Sequence, residues 1–505
     1  MSKHFPMIAK TFQGLEEVLA QELTELGAND VEIGRRMVSF SGDKEMMYKA
    51  NFCLRTAIRI LKPIKQFNAS NADEVYEAVK AIDWEEFLDV NKTFAVDSVV
   101  FSNEFRHSKF VSYKVKDAIV DHFREKTGKR PSVRIHRPEI SLNIHIAETK
   151  CTLSLDSSGE SLHRRGYRQE AVEAPLNEVL AAGIILQTGW NGECDLIDPM
   201  SGSGTIPIEA ALIARNIYPG VFRKEFAFER WSDFDQEMFE RIYNDDSQEK
   251  EFGHKIYAYD NSPSAIDIAT HNIKAAGVSK DIILKLHPIQ RFEQPEEKAI
   301  IITNPPYGER ISTDDLLGLY NTIGERLKHA FKGNTAWILS YREECFNQIG
   351  LKPTSKTPLY NGALECEVRK YEIFDGKLKD FKEDQNQAGY SDQSFKKESF
   401  RRSDDRKSRD RKPFRSDRRE RDNERVSSFT RKEKEFRPRR DDSDRDDNRS
   451  KFSKGGKTFK APRRDRDDSQ EGFKRDRIGD KEMYRQHYER TKEINRNIEE
   501  SNSEN

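Results

Sequence analysis

The stretch DLIDPMSGSGTIPIEAALIA, residues 195–214, reads as a strand, a glycine-bearing turn and a helix within twenty residues. Its apolar strand ends on Asp198, the turn carries Met200, Gly202 and Gly204, and Thr205 opens an apolar helix. Glycines there permit positive φ and close backbone approach, and a first helical turn offers unpaired N–H groups to a ligand. A dinucleotide fingerprint would read GxGxxG and a phosphate loop would bring a lysine; this turn has neither. Asp198 would repel a pyrophosphate in so tight a mouth but suits an ammonium group. S-adenosylmethionine, which has an ammonium, a ribose diol, a sulfonium and no phosphate, is therefore the cofactor expected here.

Downstream the pattern repeats as short apolar strands alternating with helices. KIYAYD (255–260), IILKL (282–286), AIIIT (299–303) and TAWILS (335–340) are strands; 205–217, 262–277 and 316–329 are helices; 356–374 closes as an antiparallel pair. Strands apolar on both faces belong to a parallel sheet covered by helices. A further helix is expected over 171–188, its first turn accepting Pro175. Asp260, followed by Asn261, ends the second strand, where a carboxylate can take both ribose hydroxyls. Capping of the next helix together with Ser262 is an equally physical role for it.

The strand AIIIT runs into Asn304, Pro305, Pro306 and Tyr307. Asn304 brings a side-chain oxygen, and Pro305 a carbonyl with no N–H. Pro306 holds Pro305 extended. Two acceptors aimed at one point match the two hydrogens of an exocyclic amine on a base, with Tyr307 against the ring. They favour rehybridisation as the amine attacks a sulfonium methyl, and placement supplies the rest. The base must leave its stack to arrive there. Glu309 and Arg310 either brace this turn or touch substrate.

Upstream lie two small α+β units, residues 1–65 and 66–156, the second with a helix at 108–128 carrying Lys109 and Lys114, candidate contacts to the RNA substrate, and a long hairpin after 130. The chain has 505 residues, a net charge of -1 and a mean hydropathy of -0.87. Its composition breaks near residue 376. Residues 401–470 hold 27 Lys and Arg against 17 Asp and Glu, a surplus of ten, so the rest of the chain sums to -11. The tail, 377–505, is expected to be disordered and to meet RNA through its charge and dispersed phenylalanines. None of the five cysteines forms a CxxC pair, and no run of 18 apolar residues occurs. A cytoplasmic protein with free thiols, no metal and no membrane contact is expected.

HSKFVSYKVKDAI (107–119), LHRRGYR (162–168), EAPLNEVLAAGII (173–185), DPMSGSGTIPIEAA (198–211), FAFERWSDFD (226–235) and NPPYGERI (304–311) together resemble a known group. It comprises the bacterial 23S ribosomal RNA guanine-N2 methyltransferases that join a THUMP domain to a class I methyltransferase. The resemblance spans roughly residues 5–375. It implies a ferredoxin-like start, a THUMP RNA-binding domain and an α/β, Rossmann-like catalytic domain at 157–376. It also implies N2-methylguanosine as product, and His163, Arg164, Arg165 and Arg168 as phosphate or junction contacts. An acid after the third strand often holds the cofactor adenine in such enzymes, but LKLHPIQRF offers His287 and Pro288. Ser201 stands where cysteine is frequent, and no second methyltransferase domain follows, so one activity is expected. Transfer RNA as substrate, adenine-N6 chemistry on DNA, and a non-catalytic RNA-binding assembly factor are the alternative readings.

Overall fold

The computed structural model describes residues 4–374 apart from 106, 293–297, 309–311 and 363. The charged tail and the Glu309–Arg310 pair lie outside the described residues. The first unit is β1 (Phe5–Lys10), α1 (Glu16–Glu25), β2 (Asn29–Gly34), β3 (Met37–Gly42), α2 (Lys44–Cys53) and β4 (Arg59–Asn68). The second is α3 (Ala72–Lys80), β5 (Thr93–Phe101), α4 (Ser108–Thr127), β6 (Ser132–Val133), β7 (Ile140–Ala147) and β8 (Lys150–Asp156). Asn71 caps α3 by accepting the N–H groups of Asp73 and Glu74, and Gly128 ends α4 in the left-handed region.

These two units share one sheet, ordered β2-β3-β1-β4-β8-β7-β5-β6. The long strand β4 pairs with β1 at its start and with β8 along the rest, so the boundary expected at 65/66 falls inside a strand. Pro63 conceals the continuity in the sequence. It sits where the β4–β8 register shifts, a place where a residue without an N–H is tolerated in a strand paired on both sides.

The catalytic region contains α5 (Glu178–Thr188), β9 (Asp195–Asp198), α6 (Thr205–Ala214), α7 (Gln236–Asn244), β10 (Ile256–Asp260), α8 (Pro263–Ala275) and β11 (Ile282–Leu286). It continues with β12 (Ala299–Thr303), α9 (Thr313–Ala330), β13 (Thr335–Ser340), α10 (Glu343–Gln348), β14 (Ser355–Asn361) and β15 (Leu364–Glu372). Its sheet runs β11-β10-β9-β12-β13-β15-β14. The first five are parallel and β15 lies antiparallel between β13 and β14. All five residues of β12 are buried, as a central strand covered on both faces requires.

Successive residues of these strands feed different cores. Ile197, Tyr259 and Ile301 pack with α9 residues such as Leu316 and Leu327. Leu196, Ala258 and Ile300 belong to the core that continues into the two N-terminal units. At that junction Gly183 of α5 admits Leu15 from just before α1; a Cβ at 183 would lie 2.5 Å from its Cδ1. The FAFERWSDFD segment supplies Phe226, Phe228 and Phe234 to the same core, with Phe228 stacked 4.4 Å from Tyr48 of α2.

The helix expected from residue 171 begins only at Glu178. Asn177 caps it by accepting the N–H groups of Val179 and Leu180. Pro175 disfavours helix at the residue before it, and Ala174 takes a φ of 53°. Residues 172–176 are thereby free to form a wall of the cavity described next.

Candidate active site

The order of strands reverses between β9 and β12, and the crevice at such a point lies outside the carboxyl ends of the strands. A cavity of 600 Å³ opens there. One side is lined by Asp198, Met200, Gly202, Thr205, Asp260 and Asn261, the other by Asn304, Pro305, Pro306 and Tyr307. The two motif groups that sequence analysis treated separately thus face one space. Gly204 is the exception among the expected cofactor residues. It does not line the cavity but starts α6 at φ 82°, with Ala269 of α8 only 3.4 Å from where its Cβ would be. Its left-handed φ turns the chain from the glycine turn into the helix.

The glycine turn is held by the acids at the strand ends. Asp260 accepts the Gly202 N–H through Oδ2 at 2.9 Å and the Ser262 N–H through Oδ1 at 2.9 Å. Its role at the entry to α8 is therefore present in the structure. Asp198 is 1% exposed. Its Oδ1 accepts from Thr303 Oγ1 at 2.9 Å and Met200 N at 3.2 Å, and Oδ2 accepts nothing from the described residues. Burial pushes this carboxyl up to about 7 against the lowering of those two bonds, and the negative Asp260 nearby adds to the rise. Ser201 Oγ, also buried, has no partner among the described residues.

At the facing wall, Asn304 Oδ1 accepts a hydrogen bond from Tyr307 Oη. The Tyr307 ring stands edge-on to Tyr341, centroids 5.3 Å apart. Burial holds its phenol well above the usual tyrosine range. Asn361 and Leu364, flanking the β14–β15 turn, and Leu319 of α9 complete this side. Past β11 the wall is Ile289 and Gln290, one turn beyond His287 and Pro288. His287 closes that turn by hydrogen bonds from its N–H to Asp260 O and between Nε2 and Arg291 O. Gln290 was hidden in the sequence because an acid is the residue expected there; the only signal it left is a polar side chain four positions past the end of β11.

Most of the cations expected to meet RNA are engaged within the protein. Arg165, 1% exposed, donates to Leu162 O and Arg55 O and faces buried Glu209 at 3.5 Å. Enclosed in this way, it braces the junction and does not reach a phosphate. Arg168 donates to Glu178 Oε1 at 2.7 Å, Ser203 Oγ at 2.9 Å, Thr205 Oγ1 at 3.0 Å and Leu176 O at 3.1 Å. It joins the 172–178 wall to the glycine turn instead of presenting itself to substrate. Lys114 pairs with Asp73 at 2.7 Å. Arg164 pairs on the surface with Glu160, and Lys109 is exposed in the first turn of α4. His163 accepts from or donates to Ser161 Oγ at 2.7 Å.

A mostly parallel sheet, with its acids and an Asn-Pro-Pro-Tyr turn around a single cavity, defines a class I methyltransferase domain carried behind an α+β module that has its own sheet. Family models agree segment by segment: a ferredoxin-like domain over residues 6–61, a THUMP domain over 69–156 and an RMKL-like methyltransferase domain over 165–370. The chain is 37% identical over 376 residues to the "Putative RNA methyltransferase slr0064" of a Synechocystis strain, covering 73% of this chain and 97% of that one. It is 40% identical over 375 residues to the "Ribosomal RNA large subunit methyltransferase K/L" of Syntrophotalea carbinolica. That match takes in 72% of this chain and 52% of the relative, so the chain spans about half the length of the K/L relatives it matches. Among solved structures, "SMU.472, a putative methyltransferase complexed with SAH" superposes with a TM-score of 0.67 at 30% identity, over 75% of this chain and 100% of the other. The chain belongs to the THUMP-containing family of RMKL-like methyltransferases.

Proposed function

We propose that the protein transfers a methyl group from S-adenosylmethionine to the exocyclic N2 amine of a guanine in 23S ribosomal RNA, in the cytoplasm. The observation that carries this reading is the shared cavity. A buried acid with an uncommitted oxygen, a glycine turn and a ribose-type acid line it opposite an amide and a proline carbonyl.

The residues fit such a donor. Asp198 Oδ2 is available to an ammonium, Asp260 retains a second lone pair on each oxygen for ribose hydroxyls, and Gly202 leaves its side of the turn open, with only Val172 within 4 Å of a Cβ. Ile289 and Gln290 line the same cavity past β11 and would be the residues to meet the adenine. When bound, the donor supplies an electrophilic methyl on sulfur, which departs as a neutral thioether.

The chain's own work is on the amine. Asn304 Oδ1 and the Pro305 carbonyl accept its two N–H groups, which localises the nitrogen lone pair and holds it in line. As the C–N bond forms, the amine loses one proton to solvent, and no strong base is required. Tyr307 takes one of the two lone pairs of Asn304 Oδ1, so an arriving amine can use the other, and displacing the hydroxyl would free both. The released ring is then free to pack on the base, offsetting part of its unstacking cost.

Nucleoside mass analysis of ribosomal and transfer RNA from a deletion strain tests the proposal. The expected result is loss of one N2-methylguanosine from 23S RNA alone. Loss confined to transfer RNA would move the substrate, and full retention in both would leave an RNA-binding role.

A further inference from the structure

The sequence KRPSVRIHR, residues 129–137, carries four Lys and Arg and no acid, in a chain whose body outside the charged tail is net negative. It forms the outer edge of the N-terminal sheet: β6 pairs only with the first two residues of β5. Lys129, Arg130 and Arg134 are exposed and form no ion pair among the described residues. The fourth cation, Arg137, is different. It reaches Glu225 of the catalytic region at 2.7 Å, and Arg230 donates to Pro138 O at 2.9 Å. Ile135, between Arg134 and His136, is 81% exposed, and Val133 is 49% exposed.

We propose that this edge is the principal phosphate-contacting surface for the RNA substrate within the described part of the chain. The inference rests on the RNA-methylation reading and deepens it. Three considerations lead there. Of the cations that the motif pattern offered first, Arg165 and Arg168 are committed to buried acids, Arg164 and Lys114 pair with exposed ones and Lys109 is a single exposed charge, whereas here three cations without an acid partner among the described residues lie on one edge. Unpaired cations on a short, open edge can follow a phosphate backbone, each neutralised phosphate releasing counterions. The Arg137–Glu225 and Arg230–Pro138 bonds tie the edge to the catalytic region, so RNA held on it is held by a surface fixed to the domain that does the chemistry. Ile135 and Val133 then meet sugars or an unpaired base.

The test uses the full-length protein and an unmodified 23S RNA transcript. Filter binding is followed from 50 to 300 mM salt for wild type, for the variant combining Lys129→Ala, Arg130→Ala and Arg134→Ala, and for its charge-keeping counterpart Lys129→Arg, Arg130→Lys, Arg134→Lys. The alanine variant is expected to lose tenfold or more in affinity at about 100 mM salt. Its log–log salt slope should become shallower by about 2 to 3, at about 0.7 to 0.9 for each lost phosphate contact. Affinity for S-adenosylhomocysteine and the melting temperature should be unchanged. The charge-keeping variant should bind like wild type, because phosphate recognition by point charge does not require one cation type. Unchanged affinity and slope in the alanine variant would overturn the proposal. So would a charge-keeping variant as weak as the alanine one. A third overturning result is an Ile135→Ser variant that alone loses as much affinity as the alanine variant at unaltered slope, which would make the edge an apolar contact to RNA and not a phosphate-contacting one. If wild type bound the transcript but never methylated it, the functional reading would fail while this surface stood.

Discussion

The catalytic sheet buries its central strand β12 throughout and offers a ligand the carboxyl ends of its parallel strands, while the N-terminal sheet alternates buried and part-exposed residues, as β7 does, and ends in a basic edge. In the first, topology gathers distant residues: Asp198, Asp260 and Asn304 are brought to one cavity because parallel strands must end together. In the second, nothing converges on a point, and recognition spreads along a line of charge. A site of the first kind should be brittle to single substitutions. A surface of the second kind should fail only when several charges go.

Asn304→Ala tests the brittle side most severely. Single-turnover methylation should fall by about a hundredfold to a thousandfold, the range for losing one preorganised hydrogen-bonding group at a reacting centre. Calorimetric affinity for S-adenosylhomocysteine should stay within about twofold. Turnover close to wild type would remove the amide from the chemistry.

Asp198→Asn should follow, with about a tenfold to hundredfold loss of affinity for S-adenosylhomocysteine, whose amino group is cationic. The raised carboxyl adds a pH signature. An ammonium needs the ionised form, so wild-type affinity should weaken as pH drops below about 7, approaching tenfold per unit, and the Asn variant should show no such slope. Stability runs the other way. The folded carboxyl titrates near 7 and an unfolded one near 4, so the folded state holds the extra proton between them. The contribution of Asp198 to stability therefore declines as pH rises through that window. Without ligand, the Asn variant should melt above wild type at pH 8, with the gap closing toward pH 5. Equal melting at pH 8 would mean that Asp198 is solvated well enough to ionise freely.

Arg168 marks where the sequence was readable and where it was not. Asp198, Asp260 and Asn304–Tyr307 were legible because each ends or directly follows an apolar strand, and strand ends in a parallel sheet have one meaning. LHRRGYR was legible only as cationic. What decides the fate of its arginines is Glu209, 44 residues from Arg165, and Glu178, ten from Arg168, each on a helix whose own period says nothing of the partner. The same limit hid the passage of β4 through Pro63 and the late start of α5. Arg168→Ala should raise the Michaelis constant for S-adenosylmethionine about tenfold, weaken S-adenosylhomocysteine binding in proportion, and leave the turnover number nearly intact. Arg168→Lys, which can keep one or two of the four bonds, should recover part of it. A fall in RNA affinity with cofactor binding untouched would return Arg168 to the substrate.

The smallest effect expected bears on whether the two sheets are one folding unit. Gly183 is buried in α5 with Leu15 against it, so Gly183→Ala forces a methyl into space that the leucine fills. Overpacking of this kind costs about 1 to 3 kcal/mol, although alanine's better helix propensity returns about 1 kcal/mol. The net shift in melting temperature is then a few degrees. Its form matters more than its size. Leu196, Ala258 and Ile300 share a core with Leu15, Tyr48 and Phe52, so the strain should be felt by both sheets at once. Calorimetry of the described region should show one transition moving down without broadening. A second, unshifted transition would mean that the common core is a contact between separately stable domains. The basic edge at 129–137 would then be fixed to the catalytic region by polar bonds, those of Arg137 and Arg230 beside it and those of Lys44, Arg55 and Arg223 farther off, and RNA placement would depend on that set.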